Sequence, residues 1–76
     1  MSQTTEWFWV LTLAGDTPSG RTTQHHAGVC SVGAGTTRMS VFTFVTTGEF
    51  ARWRQETGAT GNPTVTFWAL DRNDLT

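Results

Sequence analysis

His25, His26 and Cys30 are the side chains in this chain that could ligate a soft metal ion or form a thiolate–imidazole pair. Three such ligands could hold zinc or copper, and a Cys–His pair could carry nucleophilic chemistry, provided the side chains converge. They lie in Arg21 to Val32 (RTTQHHAGVCSV), where Thr, Val and Cys favour extended structure. On a strand, adjacent His25 and His26 point to opposite faces. His26 and Cys30 share a face but stand about 13 Å apart at about 3.3 Å per residue. Bonds to zinc are only about 2.0–2.3 Å long, so the expectation is no metal, no cofactor and no Cys–His pair. Cys30 reads as a small buried apolar residue.

Gly15-Asp-Thr-Pro-Ser-Gly20-Arg21-Thr22 has the outline of a phosphate-binding loop with Arg in place of Lys. Such a loop must open a helix whose amides hold the anion, whereas a strand pattern follows here. Pro18 also removes one cradling N–H. A hairpin loop accounts for the segment more simply. Glu49 and Glu56 fall on a polar or boundary part of a helix, and Asp71 and Asp74 on a polar tail. Asp71-Arg-Asn-Asp74 matches the start of a calcium loop without its remaining ligands. No enzyme signature emerges, and no catalytic residue is assigned.

Two features that could meet an anion or a nucleic acid remain. Gly33-Ala-Gly35-Thr-Thr37 enters a helix and could hold an anion at its N-terminus, a weak motif on its own. Arg52-Trp53-Arg54 is the basic–aromatic cluster, and Arg and Trp can stack on nucleic-acid bases. Trp53 also falls on the apolar stripe of its helix, which favours burial with both arginines in solvent.

The elements that position these residues follow from periodicity. Trp7 to Leu13 (WFWVLTL) reads as a strand apolar on both faces, with Trp7, Trp9 and Leu11 opposed to Phe8 and Val10. Arg21 to Val32 forms a hairpin with it. From Thr37 to Thr57, Met39, Phe42, Val45, Glu49, Phe50 and Trp53 fall on one broad helical stripe, with Thr36 or Thr37 as N-cap and Gly58 as stop. The alternative is a strand over Ser40 to Val45 followed by a shorter helix opened by Thr46-x-x-Glu49. The longer helix is favoured, with Gly48 as its weak point. Thr64 to Leu70 (TVTFWAL) is the last strand, with Val65 and Phe67 facing one way and Trp68 and Leu70 the other. A crossover from the second strand to the last then gives an α+β fold of ββαβ order. Its three-stranded, mainly antiparallel sheet has order 2-1-3 and carries one helix on one face.

Seventy-six residues suit one domain, with residues 1–5 and 72–76 expected to be flexible. Five arginines against six carboxylates, with no lysine, make a weakly acidic chain without the basic balance of a nucleic-acid binder. No apolar run reaches the about 18 residues of a membrane span, and Met1 to Glu6 lacks a basic leader segment. A cytoplasmic setting is expected. The absence of Lys, Ile and Tyr fits a GC-rich bacterial genome.

Several short stretches resemble a group of short uncharacterised proteins of actinobacteria. They are Trp9-Val10-Leu11-Thr12-Leu13, Gly35-Thr36-Thr37-Arg38 with Val41-Phe42 and Val45, and Phe67-Trp68-Ala69-Leu70-Asp71-Arg72-Asn73. The resemblance implies a helical middle and carries over no catalytic residue. The chain departs from that pattern over Ser40 to Thr47, richer in β-formers, and in the spacing before the last strand.

One helix can cover one face of a three-stranded sheet, and both faces of the first strand are apolar. The sequence therefore points to a small self-associating protein-interaction module, a homodimer or a complex with another protein. Trp7, Phe8, Trp9, Val10, Phe67 and Trp68 are its candidate interface residues. A nucleic-acid-binding accessory protein using Arg38, Arg52 and Arg54 is the alternative.

Overall fold

The computed structural model describes residues 4–73. Strand β1 (Thr4–Thr17) turns into β2 (Gly20–Gly33), helix α1 (Arg38–Thr57) follows, and β3 (Thr64–Arg72) closes the chain. The sheet order is β2-β1-β3, and both pairings are antiparallel. The order of elements and the sheet order agree with the sequence reading. Both hairpin strands are longer than their apolar centres suggested. Of the terminal positions, Thr4, Thr5 and Arg72 are strand residues, Asn73 lies in a bend, and residues 1–3 and 74–76 lie outside the described residues.

The phosphate-loop look-alike is a two-residue hairpin turn. Thr17 pairs with Gly20 across Pro18 and Ser19, and the Thr17 hydroxyl donates to the Gly20 carbonyl at 2.7 Å. Register follows from that turn without interruption for fourteen pairs, down to Thr4 opposite Gly33. The resulting ribbon makes the domain elongated, 48 × 22 × 17 Å.

Between Ser40 and Thr47 the chain is helical, despite its β-branched and aromatic residues. Two local effects favour this outcome. Thr37 caps the helix, its Oγ1 accepting from the Ser40 amide at 3.1 Å, and Gly58 ends it at φ 74° with its N–H on the Arg54 carbonyl. The threonines that would suit a strand instead donate back along the helix. Thr46 Oγ1 reaches the Phe42 carbonyl at 2.8 Å and Thr47 Oγ1 the Thr43 carbonyl at 2.7 Å. Their hydroxyls are thus satisfied within the helix, and packing decides the rest.

The core lies between α1 and one face of the sheet. Leu11 and Leu13 are fully buried under Val41, Val45 and Trp53, with Leu70 beside them. Trp9 lies flat on Gly28 of the neighbouring strand, where a Cβ would stand 2.7 Å from the indole. Glycine is therefore required there by the close approach of the ring. Trp68 completes this layer. It stacks on Trp9 at 6.4 Å and receives Phe42 edge-on at 5.0 Å. Burying aromatic rings of this size is how so short a chain supplies a core.

Two expectations are corrected. Val65 and Phe67 do not share a face. A bulge after Thr12 pairs Phe67 with Thr12 and Val65 with Leu13, so Val65 packs under the helix and Phe67 points away from it. Met39 falls on the helical stripe of the sequence but is 70% exposed. Val41 takes that place, because the helix presents its 41/45 edge to the sheet.

Candidate functional site

The six candidate interface residues divide between the two faces. Trp7, Trp9 and Trp68 stand on the helix-covered face, where Trp9 is buried and the other two are half-buried against the core. They are structural. Phe8, Val10 and Phe67 stand on the opposite face, which carries no helix. The hairpin register places Val29 directly beside Phe8 and Ala27 beside Val10, while β3 adds Ala69 on the other side of Val10. A diagonal apolar band therefore runs from Val29 through Phe8, Val10 and Ala69 to Phe67. Phe8, on the central strand, is 39% exposed, and Val29 and Phe67, on its two neighbours, are 51% and 54% exposed.

Polar groups frame this band. Glu6 and Asp71 lie towards one end of the open face, while the Asp16–Arg21 pair, at 3.8 Å, lies at the other. Thr12 and His25 sit beside Phe67 and bond to each other at 3.0 Å. Asp71 stands directly across from Phe8, so the charge-free part of the face runs from Val29 and Ala27 past Val10 and Ala69 to Phe67, with polar residues around it, as in a protein–protein contact.

Sequence reasoning missed Val29, which joins the patch beside Phe8 once the turn is fixed at Pro18-Ser19. It also missed Phe44, 76% exposed on the flank of α1. A signal for Phe44 existed: it is a large aromatic residue off the helical stripe of Phe42, Val45 and Trp53. A groove of about 530 Å³ opens beneath it, between α1 and β2, lined by Trp9, Cys30, Val45 and Glu49. A second of about 300 Å³ continues it past Val32 and Val41.

The chemistry-bearing residues are spread apart. His25 lies on the open face and His26 on the covered one, opposite Thr12 and Leu11 respectively. His26 Nε2 bonds to Gln24 Oε1 at 2.9 Å, and its Nδ1 stands 3.8 Å from Glu49 Oε2. That oxygen is buried and makes no hydrogen bond. Among the described residues no three His, Cys, Asp or Glu side chains converge as metal ligands would. Asp71 is a strand residue, and Asp74 lies outside the described residues.

The arginines of the nucleic-acid alternative do not form one patch either. Arg38 starts α1, stands 5.3 Å over the Trp7 ring and donates to the Leu70 carbonyl at 3.3 Å. Arg52 pairs with Glu56 at 2.9 Å one turn away, and Arg54 bonds to Asn62 Oδ1. At 1.5 Å per residue Arg38 lies about 21 Å along the helix from Arg52. Trp53 between the latter two is 1% exposed and belongs to the core. No helix among the described residues is long and apolar enough to cross a membrane.

No family model, no curated protein and no solved structure matches this chain.

Proposed function

We propose that this domain is a self-associating interaction module whose open sheet face packs on the same face of a second copy. The observation that carries this reading is the apolar band of Val29, Phe8, Val10 and Phe67 on a face without a helix. Contiguous apolar surface of this kind marks interfaces in folded proteins. A second copy suits it because the band itself holds no charged side chain. The distribution of acids also selects an arrangement. A two-fold axis parallel to the strands would set Glu6 over Glu6 of the other copy. An axis running across the strands places the Glu6 and Asp71 end over the Thr23 end instead, which relieves that repulsion.

A reducing, cytoplasmic setting belongs to the same reading, since Cys30 has no partner for a disulfide within the chain. Sedimentation equilibrium across concentrations tests self-association. Concentration-dependent association is expected for the native chain, weakened at least tenfold by Phe67→Ser. Phe67 is 54% exposed, so burying the rest of the ring in both copies contributes about 1.5–3 kcal/mol, and about 1.4 kcal/mol is tenfold in affinity. A strictly monomeric native chain at high micromolar concentration would refute the reading.

A further inference from the structure

The two edges of the sheet are built differently. The free edge of β3 carries the devices by which natural sheets avoid pairing with one another: Pro63 at its entry, a bulge at Thr66, and Asp71 and Arg72 near its end. The free edge of β2 carries none of them. It runs straight from Gly20 to Gly33 without a bulge or proline, and its one charged side chain, Arg21, faces Asp16 of the neighbouring strand. A strand of fourteen residues with an unguarded edge is a template for a further strand.

A second feature points the same way. Helix α1 leans towards β3, where Phe42 meets Trp68 and Arg38 meets Leu70. The β2 side beneath the helix is left as the open groove lined by Trp9, Cys30, Val32 and Val41, with Phe44 projecting at its lip. A strand added to β2 would extend the floor of that groove and place apolar atoms under Phe44.

We propose that the free edge of β2 pairs antiparallel with the same edge of a second copy, joining two sheets into one of six strands. The proposal rests on the self-association reading and adds to it a second, distinct interface. Three arguments favour a second copy as occupant. From Thr22 to Gly33 the strand carries no acidic or arginine side chain, so self-pairing sets no such like charges opposite one another. A two-fold axis perpendicular to the sheet puts both helices on one side of it, so that each Phe44 covers the seam from its own side. The area also suffices. A seam about 46 Å long at 3.3 Å per residue, roughly 10 Å tall where strand and helix both contribute, buries on the order of 900 Å² in total. With both Phe44 rings added, that passes the about 1,000 Å² expected of a specific interface. Joining the edges doubles the open face as well, so two such pairs would stack face to face into a closed tetramer with all helices outside.

Concentration-dependent amide hydrogen exchange, read beside sedimentation equilibrium, separates the two interfaces. In an edge strand alternate amides point outward and exchange freely, and only strand pairing protects them. Phe67→Ser, which impairs the open face, is expected to stop at a dimer whose outward β2 amides become protected as concentration rises. Phe44→Ser, at an exposed position, is expected to weaken that dimer at least tenfold when added to Phe67→Ser. A monomeric Phe67→Ser chain with unprotected β2 amides would overturn the edge proposal and leave the open-face reading standing. A native chain that assembles no further than the Phe67→Ser dimer, with its β2 amides protected, would uphold the edge and overturn the face.

Discussion

The two faces of the sheet are cut from the same three strands by the same alternation, yet they hold different residues. The covered face is made of tryptophans and leucines: Trp9, Leu11, Leu13, Trp68 and Leu70 meet Val41, Val45 and Trp53 of the helix. The open face holds Phe8, Val10, Val29 and Phe67 with threonines and His25 between them. The large indoles fill the space between sheet and helix, and one of them requires a glycine beneath it. On the open face the small side chains of Ala27 and Ala69 flank Val10. One face specifies the fold, and the other is free to serve association.

The comparison predicts unequal responses to substitution. Trp53→Ala on the covered face removes the fully buried anchor of α1. Truncations of this kind cost about 3–5 kcal/mol, comparable to the whole stability expected of so small a domain. Loss of cooperative thermal unfolding, followed by circular dichroism, is the expected result, and a well-folded variant would contradict the account of the core. Gly28→Ala tests the same face from below. Its methyl must displace the Trp9 ring, with an expected destabilisation of about 1–3 kcal/mol in chemical denaturation. Gly33→Ala in the same strand, where an added Cβ meets nothing within 4 Å, serves as its control.

Smaller effects are expected away from the covered face. Gly48 lies in the helix with no atom within 4 Å of an added Cβ. Gly48→Ala should therefore stabilise the domain by about 1 kcal/mol through helix propensity alone. The smallest change belongs to the open face. Phe67→Ser should alter the stability of the monomer, measured at low concentration, by no more than about 0.5 kcal/mol. A large loss there would mean that Phe67 supports the fold.

Much of this architecture was legible from the residues. Two-sided apolarity placed β1 at the centre, and the glycine stop after Thr57 located the end of the helix. The register of the hairpin was hidden in a turn that could have closed at several points between Gly15 and Gly20, and Val29 was hidden with it. The bulge after Thr12 was not legible, because nothing in Thr64-Val65-Thr66-Phe67 marks which residue is left unpaired. The assignment of Val65 and Phe67 to one face failed for that reason. The direction in which the helix leans also escaped the sequence. It depends on tertiary packing of Phe42 on Trp68, and it decides that Phe44 is exposed while Val41 is buried.

The central claim is that the face holding Phe8, Val29 and Phe67 contacts another copy. Isotope-filtered NOE spectroscopy on a mixture of labelled and unlabelled chains reads that contact directly. Intermolecular NOEs are predicted at the Phe8 and Phe67 rings and the Val29 methyls, and none at Leu11 or Trp53. Association without intermolecular NOEs at those rings, or no association at high micromolar concentration, would contradict it.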